Sequence, residues 1–226
     1  MNYKAHQVGG ISLTLSATIL QHGIPTDSRT LLMTALTIGA GVAGALLPDI
    51  DEPSSKYGKR IPHLSGTLKS IAGHRGFFHT PLAIAVLWEG VLLLKGLSVN
   101  LSTGSYFILG LVVVLFIGSL SIVWNHRGRL LSTGLIYAVI GYLWIKNYQY
   151  ISPGTVYEWV LEGVVVGYIS HLLMDMTNAT GIPLFYPITN KKYHLLTLKT
   201  NKDEWIAELI FLIPTVMIVV SAVRQM

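Results

Sequence analysis

Seven apolar stretches, at residues 5–22, 30–47, 81–94, 106–124, 130–145, 156–174 and 205–223, follow one another along this chain with polar links between them. In a bilayer every backbone N–H and C=O must be satisfied within the spanning segment, so each stretch reads as a helix. Charged residues make up only 12% of the 226, against roughly 25% in soluble domains. The shortage runs along the whole length, which points to many spans rather than one anchor. The expected fold is therefore all-α, a polytopic transmembrane helical bundle of about seven spans, with residues 1–226 as a single membrane domain.

The first stretch is the weakest, because its Ser and Thr residues dilute the apolar signal. Lys4 before a short apolar run also suits a signal peptide, but no small-residue cleavage site follows. In the second stretch Gly39, Gly41, Ala43 and Gly44 would let another helix approach closely. Residues 48–75 form the longest hydrophilic stretch and read as a polar loop. Thr80 and Pro81 then mark a helix start, as N-cap and first-turn proline.

With seven spans the links alternate between two sides. One side collects Lys4, Lys56, Lys59, Arg60, Lys69, Arg75, Arg127, Arg129, Lys191, Lys192, Lys199 and Lys202. The other holds Arg29, Lys95, Lys146 and Arg224. The positive-inside rule puts the richer side, and the N-terminus, in the cytoplasm of a cell (inner) membrane. Its lysines are expected to meet anionic lipid.

The same alternation brings His6, Asp49, Asp51, His74, His79, His171 and Asp175 to the cytoplasmic face. His171 and Asp175, at i and i+4, share one face of a helix and can share one metal. His74 and His79 are five apart, so one straight helix would not aim both at an ion; Gly73 and Gly76 allow a turn that does. Asp49 and Asp51, stiffened by Pro48 and Pro53, stand equal as ligands. Glu52 is a solvated neighbour or a general base. The chain has no cysteine, which excludes disulfides and thiolate ligands, so a divalent ion bound by His and carboxylate is expected. Zinc is the first choice and manganese the second. Arg60 and Arg75 suit a substrate phosphate. Glu89 and Glu162 lie mid-span, and Glu162 is expected to pair with another span or to line a polar cavity. His22, His63, His126 and His194 show no partner pattern.

Leu-Leu-Pro-Asp-Ile-Asp-x-Pro at 46–53, Gly-His-Arg-Gly-Phe-x-His-Thr at 73–80 and Gly-Tyr-x-Ser-His-x-x-x-Asp at 167–175, with His6 near the start, resemble the YdjM-type family. Members of that family are described as inner-membrane, candidate metal-dependent hydrolases. It resembles, more distantly, the all-α zinc-dependent phospholipases C. That likeness implies that His6, Asp49 or Asp51, His74, His79, His171 and Asp175 are zinc ligands. This chain has a single His-x-x-x-acid helix where those enzymes have two, so one or two ions are expected.

The expectation is a membrane hydrolase of a phosphoester in a lipid or lipid-linked substrate, with Asp51, Arg75 and Glu52 as the residues acting on it. The alternative is a non-enzymatic metal transporter or sensor, and a scaffold that uses its His and Asp residues only for packing is the third. No nucleic-acid partner is expected, because the basic residues are scattered through membrane-flanking links and nothing resembles a recognition helix.

Overall fold

The computed structural model describes residues 2–55, 58–73, 75–100, 139, 142, 146–147, 153–199 and 202–226. Among them are six long helices: α1 (Tyr3–His22), α2 (Ser28–Gly44), α3 (Pro62–Ala72), α4 (Pro81–Asn100), α5 (Pro153–Thr177) and α6 (Glu204–Arg224). Short 3-10 turns lie at Pro48–Asp51, Gly58–Arg60 and Phe77–His79. Extended pairing among the described residues is limited to two isolated bridges, Asn178 with Leu198 and Ile182 with Tyr193.

Three described segments are long and apolar enough to cross a membrane: Ser28–Asp51, Gly154–Thr177 and Glu204–Arg224. The expected count of seven is not supported. The fourth and fifth expected spans, 106–124 and 130–145, lie outside the described residues except for 139 and 142. α4 runs for 20 residues, about 30 Å at 1.5 Å per residue, and its described side chains include the apolar run Pro81–Gly90. α1 has the length but not the hydropathy, because Ser12, Thr14, Ser16 and Thr18 sit along it. All four are buried, so α1 is a helix whose polar residues face the bundle.

Local chemistry explains where the elements start and stop. Asp27 caps α2 by accepting from the Thr30 backbone N–H at 2.9 Å and from that of Arg29 at 2.8 Å. Those bonds, the one from Thr30 first, hold its carboxyl below the usual range. Thr80 caps α4 as expected, its hydroxyl accepting from the Ala83 N–H at 3.2 Å. Inside the expected 48–75 loop the chain folds instead into α3, with Pro62 in its first turn and Gly73 just past its end at φ 70. Both are ordinary helix boundary signals, and between them apolar and polar residues are equally mixed, with no long apolar run to mark the helix.

α2 packs along α5, and α1 lies against α2, α5 and α6. The two central helices come very close. A Cβ at Gly167 would stand 1.9 Å from the Gly41 carbonyl oxygen, and one at Gly44 would stand 2.1 Å from that of Val164. α6 joins α1 through a buried contact of 2.9 Å between Ser16 Oγ and Thr215 Oγ1, and otherwise exposes apolar side chains such as Ile213 and Met217. That face suits lipid.

Candidate metal centre

The close contact of α2 with α5 sets the position of the first imidazole. His171, near the end of α5, presents Nδ1 to the carbonyl oxygen of Ala45 at 2.7 Å. A carbonyl only accepts, so Nδ1 carries the proton and Nε2 offers its lone pair. His79 arrives from the turn before α4, which is tied to α5 by the Tyr168 hydroxyl donating to the Phe78 carbonyl. Its Nε2 lies 3.3 Å from Nε2 of His171, and its Nδ1 faces Asp51 Oδ2 at 3.6 Å. His6, from the first turns of α1, stacks on His171 with centroids 3.9 Å apart.

The carboxylates close the cluster. Asp175 Oδ2 lies 3.6 Å from His79 Nε2 and 3.7 Å from His171 Nε2, and its Oδ1 lies 3.5 Å from His6 Nε2. Asp49 Oδ1, in the turn after α2, is 3.9 Å from His79 Nε2 and 4.0 Å from His171 Nε2. In two overlapping triples, His6–His171–Asp175 and Asp49–His79–His171, all donor atoms lie within 4.8 Å of one another.

These separations fit an ion better than a hydrogen-bonded network. Direct N–H···O bonds run at about 2.7–3.2 Å, shorter than any of the imidazole–carboxylate distances. Two ligands of one tetrahedral zinc, each about 2.0–2.1 Å from it, stand about 3.4 Å apart. Asp51 and Asp175 are almost wholly buried, at 0% and 1% exposure, where a carboxylate has to be held by partners, and Arg75 is one of those of Asp175.

The expected site residues therefore fall into distinct places. His6, Asp49, His79, His171 and Asp175 converge from four chain segments. Asp51 stands behind His79, on the nitrogen turned away from His171. A ligating imidazole commonly has such a carboxylate on its other nitrogen. Arg75 has its Nη2 3.5 Å from Asp175 Oδ1, and its Nη1 donates to Thr180 Oγ1. Its backbone is left-handed at φ 56, which costs a residue with a Cβ about 1 kcal/mol, so the turn is held by its surroundings. Glu52 accepts from Lys69 Nζ at 2.9 Å and from Ser54 Oγ at 2.8 Å. Arg60 closes the turn Gly58–Arg60, with its side chain outside the description, and His74 lies outside the described residues altogether.

Sequence reasoning missed the Ala45 carbonyl and Thr180. Neither has a residue-type signature, since a backbone oxygen is common to all residues. At the far end of the bundle, Glu162 meets His22 of α1 at 3.3 Å, and His22 stacks on Trp159 at 3.9 Å. The acid pairs with another helix, as expected, and its partner is a histidine that carried no pattern of its own.

The Escherichia coli K12 inner membrane protein YdjM is 26% identical over 150 residues, covering 66% of this chain and 48% of that protein. The uncharacterized protein YvsG of Bacillus subtilis 168 is 33% identical over 88 residues, 39% of this chain and 49% of that one. The chain thus spans about half the length of the curated relatives it matches. No solved structure matches it. The profile of the YdjM inner membrane protein family matches residues 1–225. With that match across almost its whole length, on a helical frame with membrane-length segments, the chain belongs to the YdjM inner membrane protein family.

Proposed function

We propose that this protein is a membrane-embedded, metal-dependent hydrolase that cleaves a phosphoester, with a lipid or lipid-linked molecule as substrate. The observation that carries the reading is the buried cluster of three imidazoles and two carboxylates with a guanidinium beside it. His6, Asp49, His79, His171 and Asp175 would hold the ion or ions, zinc first and manganese second, while Asp51 orients His79. The chemistry a divalent cation supplies when bound is polarisation of a phosphoryl oxygen and a lowered pKa for water. The Ala45 carbonyl keeps the His171 proton on Nδ1, and Arg75 is placed to steady a phosphoryl group next to Asp175. Support for phosphorus rests on Arg75, not on a structural likeness to zinc-dependent phospholipases.

Transport is the second reading, and packing disfavours it. A conducting route needs polar groups facing a passage, yet Thr18 and Thr37 give their hydroxyls to the carbonyls of Thr14 and Met33, each at 2.9 Å. Ser16 is engaged by Thr215.

The test is metal analysis of purified protein alongside a panel of phosphodiester and phospholipid substrates. Wild type should carry metal and release phosphorylated head group or phosphate, and His171→Ala and Asp175→Asn should lose both. A metal-free wild type, or variants that hydrolyse equally well, would overturn the reading.

A further inference from the structure

Beside the centre, where α3 ends, lies a cavity of about 340 Å³ lined by Ile71, Ala72, Arg75, Tyr186, Asn190 and Lys192, among others. Drug-sized ligand sites begin at about 300 Å³, so a small polar head group fits. Its charge differs in kind from that of the centre. Two cations, a carboxamide and a phenol line it, and among the described residues no Asp or Glu does. Arg75 belongs to both places, touching Asp175 on one side and lining the cavity on the other. A guanidinium has five N–H donors, and its contacts with Asp175 and Thr180 engage only two of them.

Two large apolar side chains of the segments that form the cavity are uncovered. Ile71 is 76% exposed, and Ile188, in the same loop as Tyr186 and Asn190, is 90% exposed. An anion-binding hollow flanked by bare isoleucines suits an amphiphile whose phosphate enters the hollow while its chains lie over those side chains.

We propose that this cavity is a phosphate-binding subsite, with Lys192, Arg75 and Asn190 as its recognition groups and a phosphate-headed lipid as its ligand. Placing that phosphate at the edge of the metal centre rests on the hydrolase reading; the binding itself does not. Lys192 supplies a point charge, Arg75 a planar fork and Asn190 amide donors, which together satisfy a phosphate's oxygens.

The experiment uses the full chain in nanodiscs after chelator treatment, so that anions held by a metal do not count. One arm measures inorganic phosphate by equilibrium dialysis. The other measures retention of phosphatidic acid against phosphatidylcholine. Wild type should bind phosphatidic acid in preference, and Lys192→Ala and the cavity-filling Ala72→Phe should each weaken binding about tenfold. Lys199→Ala, on the same loop and outside the lining, should bind as wild type does. Binding of inorganic phosphate as well would assign the recognition to the phosphate itself, and binding of the lipid alone would assign it to the whole amphiphile. Absence of both, or equal binding by Lys192→Ala, Ala72→Phe and Lys199→Ala, would overturn the proposal. Hydrolysis is not read and the metal is removed, so failure of the hydrolase test would leave a positive binding result standing, and failure of this binding test would leave the hydrolase reading to its own assay.

Discussion

His171 and Ala45 meet across the α2–α5 seam, with Nδ1 2.7 Å from the carbonyl oxygen. That bond exists because glycines at the seam let the two backbones nearly touch. Close packing of helices and the tautomer of a candidate ligand are thereby one problem. Anything that separates the helices also frees the imidazole to turn.

Gly167→Ala should therefore act at a distance. Its new Cβ meets the Gly41 carbonyl, which is backbone and cannot swing aside. Overpacking of this kind costs about 1–3 kcal/mol. Denaturation of the solubilised protein should show that loss, and metal analysis a reduced content. Gly66→Ala, in α3 with nothing within 4 Å, is the control and should be neutral or stabilising by up to about 1 kcal/mol.

Asp49 and Asp51 should separate on mutation. Asp49→Asn removes a carboxylate facing both His79 and His171, whereas Asp51→Asn changes the support behind His79. Loss of such a support weakens metal affinity about 10–100-fold. Competition with a chelator should show that drop for Asp51→Asn, with a larger one for Asp49→Asn.

Thr215→Val removes the hydroxyl that joins α6 to α1, through Ser16 and the Ser12 carbonyl at 3.0 Å. Hydrogen bonds between membrane helices contribute about 0.6 kcal/mol on average and about 1.7 at most. A small loss of resistance to denaturation is expected, with metal content unchanged.

The His22–Glu162 pair offers a check on location. It joins α1 to α5 near the C-terminal end of α1, whereas His6 lies near the other end. His22→Ala and Glu162→Gln should leave metal content at the wild-type level. A loss in either variant would show that the two ends of the bundle are coupled.

Much of the site was legible residue by residue. The i, i+4 spacing of His171 and Asp175 already placed both on one helix face, and Thr80–Pro81 already marked the start of α4. Other features left no local trace. Asp49 and Asp51 are the same side chain two positions apart in one proline-bracketed turn, and only the orientation of His79 tells them apart. α3 hid in a hydrophilic stretch, because a short surface helix needs no apolar run.

The residue types, their spacing and the scarcity of charge determined that this chain would be helical, would suit a membrane and would carry enough imidazole and carboxylate for a metal. Those properties are local, arising from side-chain chemistry and from the need to satisfy the backbone away from water. Tertiary structure decided which carboxylate faces the imidazoles and which stands behind one, which backbone oxygen holds the His171 proton, and that Arg75 belongs to two sites. Those outcomes depend on how closely α2 and α5 approach, a distance set by atoms far apart in the chain.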